Sequence, residues 1–358
     1  MGQSARMGQS RRSFLKRAGA VAGAAVAGPL IITDRTIAQT RTLYVNTWGG
    51  SLTQAQDEAF YKPFTKATGI KVVPVTPVSY VKLKAQVTSG HYEWDITSIN
   101  QAQWLRAERE GLVEPIDWDI VGKDWLWPGA VFANGIASTM LSSNICYLKD
   151  KFPNGGPRNW ADFWDVKKFP GTRSLYDGDA VQAVMAALMA DGVHKDKLYP
   201  LDLDRGFKKL EEIKPHIKVF WREGTQSQQL LRDGEVDMML IWNARASELI
   251  AQGHKIELVW DQAINNVTVF GVAKKAPNAK LAWEYVKFCL QPGPLADYAQ
   301  RLYYGPANPK AYEFIPEAAA RNLPTYPKNL EIGVSVDPIW GADNLAKLEE
   351  RYASWKSS

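Results

Sequence analysis

Apolar and polar positions over residues 41–110 switch between a period of two and a period of about 3.6. An apolar strand with its turn spans 43–50, an amphipathic helix closed by Gly69 spans 53–68, and a second strand spans 70–75. Strand, helix and strand at this spacing predict a parallel βαβ unit. The pattern continues with a helix over 80–89, a strand over 94–99 and a helix over 101–110.

The same alternation restarts in the second half of the chain. Together the two halves predict an α/β fold, and their combined length exceeds the size at which a single core usually stops growing. We therefore expect two lobes. No low-complexity linker separates them, which favours a hinge. The second half predicts strands over 172–176, 218–221, 238–241 and 266–273, and helices over 181–190, 227–232 and 280–290.

Residues 1–38 have the features of a secretory signal. The run Ser10-Arg11-Arg12-Ser13-Phe14-Leu15-Lys16 precedes an apolar stretch over 18–32 and the small-residue pattern Thr36-Ile37-Ala38. Paired arginines before a short Ala- and Gly-rich stretch are typical of twin-arginine export. We expect the twin-arginine export machinery as a partner, cleavage near Ala38, and a periplasmic mature protein.

The signal segment also carries the basic charge of the chain. It holds six of the 43 Lys and Arg residues and one of the 38 acidic residues, which leaves 37 of each. A mature chain near neutrality gives no support for binding to nucleic acid or to a membrane surface. The two cysteines, Cys146 and Cys289, predict either one disulfide or two buried free thiols.

The sequence contains none of the common catalytic or metal-binding motifs. The sequence has no G-x-S-x-G elbow, no phosphate-binding G-x-x-x-x-G-K-[ST] loop and no G-x-G-x-x-G turn. Its histidines are scattered without metal-ligand spacing. We therefore expect a protein that is not an enzyme, without cofactor or metal. The histidines are His91, His194, His216 and His254.

Aromatic residues stand out instead, with 14 Trp and 14 Tyr. In open α/β sheets, ligands bind beyond the carboxyl ends of strands, where Trp48, Trp242 and the loop at Gly224 are predicted. Aromatic rings at such positions can stack on a planar group or hold a cation.

An ordered set of short motifs resembles the spermidine/putrescine-binding proteins of bacterial ABC importers. The motifs run in order over nearly the whole mature chain. They are Asn46-Thr47-Trp48, Phe64-Thr65-Lys66-Ala67-Thr68-Gly69-Ile70-Lys71-Val72, Asp95-Ile96, Gly234-Glu235-Val236-Asp237, Ile241-Trp242-Asn243 and Ala276-Pro277-Asn278-Ala279.

The resemblance implies a type II periplasmic binding protein fold, with two discontinuous lobes around a ligand cleft. Lobe one would comprise 41–145 and 266–308, and lobe two 146–265 and 309–358. The implied function is capture of a small polar solute, amine-containing and polyamine-like, by hinge closure. The implied partner is the transmembrane permease of an ABC importer, and the protein would act as a monomer.

Carried over by position, the resemblance places Trp48, Trp242 and Tyr304 in an aromatic box and Asp179 at a carboxylate position. The chain departs from the pattern at three places: Gln182 replaces an acidic residue, no carboxylate lies near Asn266 to Thr268, and Gly49-Gly50-Ser51 replaces a tyrosine. The expected ligand-binding set is Trp48, Gly49, Gly50, Asn100, Asp179, Gln182, Gly224, Thr225, Trp242, Asn243, Asn266, Thr268 and Tyr304.

Some of these features suit an anionic group. The Gly49-Gly50 turn and the Gly224-Thr225-Gln226-Ser227 loop can expose backbone N–H groups, and Arg245 and Arg222 could supply a fork for a carboxylate. A ligand with one amine and one acid group, or an uncharged polar ligand, is consistent with this mixture.

Two other functions remain as alternatives. Tyr303-Tyr304 is a pair of phenols, which are hard oxygen ligands, and it raises the hypothesis of a ferric-ion-binding transport protein. The export signal raises the hypothesis of a cofactor enzyme exported by the twin-arginine route, since that route often carries proteins that fold around a cofactor before export.

Overall fold

The predicted alternation of strands and helices is present in the structure. A computed structural model describes residues 41–122 and 125–358. Its strands are β1 (Thr42–Asn46), β2 (Lys71–Val75), β3 (Ile96–Asn100), β4 (Ile136–Leu148), β5 (Arg173–Tyr176), β6 (Ile217–Trp221), β7 (Met238–Trp242), β8 (Ile256–Leu258), β9 (Ile264–Val272), β10 (Gly305–Pro306) and β11 (Val334–Ser335).

Helices connect most of these strands. A π-helical segment, Asp57–Tyr61, joins the first two helices, and short 3-10 turns lie in several loops. The helices are α1 (Gly50–Gln56), α2 (Lys62–Thr68), α3 (Tyr80–Ser89), α4 (Gln101–Arg109), α5 (Trp118–Val121), α6 (Trp160–Trp164), α7 (Ala180–Ala190), α8 (Leu203–Ile213), α9 (Gly224–Arg232), α10 (Asn243–Ala251), α11 (Ala279–Cys289), α12 (Pro292–Leu302), α13 (Glu317–Ala320), α14 (Pro327–Ile332) and α15 (Pro338–Ser357).

Local sequence sets the limits of these helices. The Ser79 hydroxyl accepts a hydrogen bond from the Lys82 N–H, which caps α3, and Gly90 ends the same helix in the left-handed conformation. The helix predicted over 53–68 ends at Gly69 as expected, but it begins at Gly50 and contains the π segment. The π segment buries the consecutive side chains of Phe60 and Tyr61, which a regular helical period does not predict.

The strands form a single curved sheet in the order β2-β1-β3-β9-β4-β7-β5-β6, with β8 and β10 paired to β4 and β11 paired to β9. The predicted βαβ unit is confirmed, because β1 pairs in parallel with both β2 and β3. In the other half, β5 pairs in parallel with β6 and β7. The antiparallel strands β4 and β9 lie between the two parallel halves.

Two hydrophobic cores flank these crossing strands. The first contains buried side chains from β1, β3, α11 and α12, and the second contains those of β5, α7, β7 and α15. On β4 the cores change between Met140 and Ile145, and on β9 between Ile264 and Val267. The residues between them are largely polar: Ser142, Ser143 and Asn144 on β4, and Asn265 and Asn266 on β9.

The two-lobe arrangement is thus present, and its second boundary needs one change. The resemblance predicted that 309–358 belongs to lobe two. However, Ala311, Ile315, Ala320 and Leu323 pack in the first core. We therefore propose that the chain returns to lobe two near Gly333, where β11 begins to pair with β9.

The cysteine alternatives are resolved in favour of free thiols. Cys146 is buried in the second core and Cys289 in the first, and neither forms a disulfide. Burial raises the pKa of both thiols, so both are poor nucleophiles.

The signal predicted over 1–38 lies outside the described residues. Within the described part of the chain, no helix combines the length and the apolar character needed to cross a bilayer.

Candidate functional site

The polar middles of β4 and β9 form the floor of a cleft between the lobes. In the strand register Leu141 is paired with Asn266, and Ser143 with both Ile264 and Trp242. Because side chains alternate between the faces of a sheet, Leu141, Ser143, Trp242 and Asn266 share one face. Strand β4 therefore brings Trp242, from lobe two, to the boundary with lobe one.

Lobe one contributes a pocket at the ends of its strands. Trp48 follows β1 and is 47% exposed, which is unusual for so large an apolar side chain. It lines the pocket together with Leu141, Thr268 and Tyr304, while Tyr285 and Tyr298 form its inner end. The predicted aromatic positions Trp48 and Tyr304 are thus brought together.

The glycine turn after Trp48 has the backbone conformation that only glycine adopts readily. Gly49 has φ of 87° and Gly50 has φ of 57°, both in the left-handed range. The Gly49 N–H donates to the Thr53 hydroxyl at 3.1 Å. This donor is therefore already occupied, contrary to the expectation that the turn exposes it to a ligand.

Lobe two contributes an aromatic cluster. The ring of Trp242 lies edge-to-face against Tyr176 and Trp221, with ring centroids 5.1 and 5.0 Å apart. Trp221 is buried and its Nε1 donates to the Leu240 carbonyl, whereas Trp242 is partly exposed. The cluster holds Trp242 rigidly while leaving part of its surface accessible.

Arg245 lies in the first turn of α10, which begins directly after Trp242. A Cβ atom on Gly224 would lie 2.4 Å from Arg245 Nε, so only glycine permits this approach. Burial raises the pKa of Tyr304, and the nearby charge of Arg245 opposes that shift while Glu248 adds to it. Arg245 of lobe two is thus close to Tyr304 of lobe one.

The guanidinium of Arg245 is only partly used. Nη1 contacts both carboxylate oxygens of Glu248, and Nε and Nη2 have no hydrogen-bond partner among the described residues. Gln228 Nε2 donates to the same Glu248 carboxylate at 2.7 Å and fixes its position. Two guanidinium nitrogens of Arg245, Nε and Nη2, therefore remain for a ligand.

Asp179 lies at the start of α7, partly accessible but densely surrounded by protein. Its Oδ1 accepts the N–H groups of Val181 and Gln182, and its Oδ2 accepts Gln182 Nε2 at 2.6 Å. Burial raises the pKa of this carboxyl, while these hydrogen bonds and one from Asn266 lower it. Both oxygens are therefore occupied in the described structure.

Asn266 and Asn243 connect the lobes. Gln101 Nε2 of lobe one donates to Asn266 Oδ1 at 3.0 Å, and Asn266 in turn contacts Asp179. Asn243 Oδ1 accepts the Ser142 N–H, and its Nδ2 donates to the Tyr303 carbonyl. Since Asn243 is fully buried, its part in the site is to position its neighbours.

The remaining predicted residues, Asn100 and Thr225, are exposed and do not line the pocket at Trp48. Asn100 ends β3 and caps α4 by accepting the Gln103 N–H, and Thr225 is exposed on the first turn of α9. The side chain of Arg222 is 78% exposed and contacts Asp177. Of the tyrosine pair behind the ferric-ion alternative, Tyr304 lines the pocket and Tyr303 does not. No group of three His, Cys, Asp or Glu side chains suited to a metal occurs in 41–122 or 125–358.

Sequence reasoning missed several neighbours of the site. Tyr176 and Trp221 support Trp242, and Glu248 holds Arg245. A polar break in an apolar run, Ser142-Ser143-Asn144, was the available signal for the cleft floor.

Comparison with known proteins agrees with this geometry. The sequence model of the family described as bacterial extracellular solute-binding protein matches residues 59–327. The gamma-aminobutyric acid-binding protein of Pseudomonas aeruginosa is 33% identical over 89% of this chain and 92% of its own. The spermidine/putrescine-binding periplasmic protein of Escherichia coli is 24% identical over 88% and 92%.

Solved structures show the same relationship. An ABC transporter substrate-binding protein from Bradyrhizobium japonicum superimposes with a TM-score of 0.83 and 37% sequence identity. The match covers 88% of this chain and 99% of that protein.

Proposed function

Because this chain belongs to the bacterial extracellular solute-binding proteins, we propose that its cleft binds a short amino acid whose amine and carboxylate lie at opposite ends, as in gamma-aminobutyric acid. The protein is the periplasmic solute-binding component of an ABC importer, and its partner in transport is the permease. The finer part of the proposal is the chemical class of the solute.

The observation that carries the proposal is the half-used guanidinium of Arg245, whose charge acts on Tyr304 of the pocket. Its free Nε and Nη2 suit a carboxylate, because two parallel N–H groups match two carboxylate oxygens. A polyamine has no group to accept these bonds and would bring its ammonium groups toward a fixed positive charge. The cleft therefore favours a solute with one acid end.

The amine end is expected near the aromatic residues. Trp48, Trp242 and Tyr304 offer ring faces that attract a cation, and Asp179 lies on the same side of β9 through its contact with Asn266. Because both oxygens of Asp179 already accept hydrogen bonds, we expect this carboxylate to act through its charge rather than by direct contact.

A thermal-shift and calorimetric screen tests the solute class. Gamma-aminobutyrate and 5-aminovalerate should raise the Tm of the mature protein, since a ligand of the native state stabilises it. Putrescine lacks the acid and butyrate lacks the amine, so both should bind at least about tenfold more weakly. Tight binding of putrescine with no effect of gamma-aminobutyrate would reject the proposal.

We propose that the protein is a monomeric binding protein rather than an enzyme, and that it is exported by the twin-arginine route on the motif at Arg11 and Arg12. Replacing both with Lys should stop export, as judged by mass spectrometry of the periplasmic fraction.

Absorbance spectroscopy tests the alternative of a cofactor enzyme. A bound chromophore in the exported protein, seen by its absorbance, would favour the cofactor enzyme.

Closure of the cleft should be measurable. We propose that the hinge between the lobes lies at Leu141–Asn144 and Asn265–Asn266, where the cores change. We expect small-angle scattering to give a smaller radius of gyration with saturating gamma-aminobutyrate, because the ligand shifts the population toward the closed state. An unchanged radius at saturation contradicts closure.

Trp242→Ala should weaken solute binding more than it lowers stability. A cation–π contact contributes about 0.5–2 kcal/mol, which corresponds to a two- to thirtyfold loss of affinity. Trp160→Ala is the matched control, because Trp160 is buried in the second core and bonded to Gln262. It should lose about 3–5 kcal/mol of stability and leave the affinity of the folded fraction unchanged. The reverse pattern in calorimetry and urea unfolding would make Trp242 structural.

A further inference from the structure

A second cavity lies away from the cleft. It encloses about 510 Å³ and shares none of its lining residues with the pocket at Trp48. Its lining includes Tyr147, Arg158, Leu258, Arg321, Tyr326 and Lys328.

This cavity lies behind the crossing strands. Asn266 contacts Asp179 on the cleft side, so Asn265, the next residue along the strand, faces the other way. A Cβ atom on Gly333 would lie 2.8 Å from Asn265 Nδ2 and 3.0 Å from the carbonyl of Asn329, which lines the cavity. Asn144 Nδ2 donates to the carbonyl of Val259, another lining residue. This back cavity therefore adjoins the faces of β4 and β9 that carry Asn144 and Asn265, opposite Ser143 and Asn266, whereas its lining residue Tyr147 lies at the end of β4 on the same face as Ser143.

The walls of the back cavity belong to different lobes. Tyr147 and Leu258 pack against the second core, whereas Tyr326 packs against the first. Because the crossing strands lie between the two spaces, closing the cleft moves the walls of the back cavity apart. Any molecule that holds those walls together resists closure.

Each wall carries a cation. The Arg158 guanidinium, from the lobe-two wall, and the Lys328 ammonium have no ion-pair or hydrogen-bond partner among the described residues. Arg321 uses Nε for Glu317 and leaves its other nitrogens available. Two carboxylates also line the cavity: Glu257 is paired with Lys149, and Asp261 is the other. The unpaired cations thus face the cavity from both walls.

We propose that the back cavity binds a short dicarboxylate, with one carboxylate on Arg158 and the other on Arg321 and Lys328. A ligand with an anionic group at each end matches a cation on each of the two walls. The rings and aliphatic side chains of Tyr147, Leu258 and Tyr326 suit the apolar spacer between them. Given the hinge closure proposed above, this ligand favours the open cleft and lowers solute affinity.

Calorimetric titration of the mature protein with succinate tests the site directly. Succinate should bind, and Arg158→Gln and Lys328→Gln should each weaken it about fivefold, the effect of one largely exposed charge pair. Lys255→Gln is the matched control, because Lys255 is an exposed lysine of lobe two outside the cavity, and it should bind succinate like the wild type. Butyrate has only one carboxylate and succinamide has none, so both should bind more weakly than succinate.

The cleft must be excluded as the succinate site. Arg245→Met should leave succinate binding intact. In the wild type, saturating succinate should lower the affinity for gamma-aminobutyrate by about fivefold. Saturating gamma-aminobutyrate should lower the affinity for succinate by the same factor. Loss of succinate binding in Arg245→Met would place succinate in the cleft and overturn the proposal. So would the absence of succinate binding, or equal binding by the wild type and both cavity variants. The succinate titrations do not depend on whether gamma-aminobutyrate is the cognate solute, and only the measurement of coupling requires that gamma-aminobutyrate binds.

Discussion

Replacing Arg245 by methionine is expected to weaken gamma-aminobutyrate binding by roughly ten- to 150-fold. A hydrogen bond to a charged group contributes about 1.5–3 kcal/mol, and each 1.4 kcal/mol is a tenfold change in Kd. Methionine keeps much of the side-chain length that passes over Gly224 and removes the guanidinium. Isothermal titration calorimetry on the mature protein measures the effect.

A ligand analogue without a carboxylate provides a second test of the contact with Arg245. Butylamine lacks the carboxylate, so its affinity should be nearly the same in the wild type and in Arg245→Met. Arg222→Met is the matched control, since Arg222 is exposed and contacts Asp177; it should change gamma-aminobutyrate affinity by less than about fivefold. If Arg222→Met lowers the gamma-aminobutyrate affinity more than Arg245→Met does, the carboxylate binds near Arg222 at the carboxyl end of β6 instead.

The largest loss of stability is expected from Arg173→Ala. Arg173 is fully buried, and its guanidinium donates to the backbone carbonyls of Phe163, Phe169 and Gly171. Burial lowers the pKa of this guanidinium, and the nearby carboxylates of Asp237 and Asp165 oppose that shift. Removing it leaves the buried carbonyls of Phe163 and Phe169 without donors and opens a cavity, which should cost about 3–5 kcal/mol in urea unfolding.

Two further variants identify the cause of that loss. Arg173→Lys keeps the charge but cannot reach three carbonyls in a fork, so it should also be destabilised. Arg205→Ala removes an exposed arginine paired with Asp191 and should change stability by less than about 1 kcal/mol. Gamma-aminobutyrate affinity of the folded fraction should not change in any of the three. Equal stability of Arg173→Ala and Arg205→Ala contradicts a structural role for the buried guanidinium.

The strands and most helices could be predicted because their signals are local. The helix at 80–89 has an N-cap serine and a C-terminal glycine, and both act within one turn. The π segment between α1 and α2 could not be predicted, because it depends on how Phe60 and Tyr61 pack against distant rings such as Tyr298 and Tyr285.

The site residues also divide into those that a local sequence pattern predicts and those that depend on distant packing. Trp48 and Trp242 follow predicted strands, so their position at the strand ends could be inferred from the sequence. The contact of Arg245 with the space above Gly224 depends on the packing of α9 against α10, which no local pattern encodes. The proposed assignment of 309–330 to lobe one also rests on the structure, because short helices there pack on a core assembled from much earlier residues.

The antiparallel pairing of β3 with β9 has a consequence for the order of synthesis. Thr97 pairs with Gly271, about 170 residues later in the chain, so the sheet of lobe one stays incomplete until nearly the whole of lobe two has left the ribosome. At roughly 5–20 residues per second that interval lasts about 10–30 s. The exposed edge of β3 is open to aggregation during this time. An export route that waits for the finished fold suits such a chain better than one that threads it through the membrane unfolded.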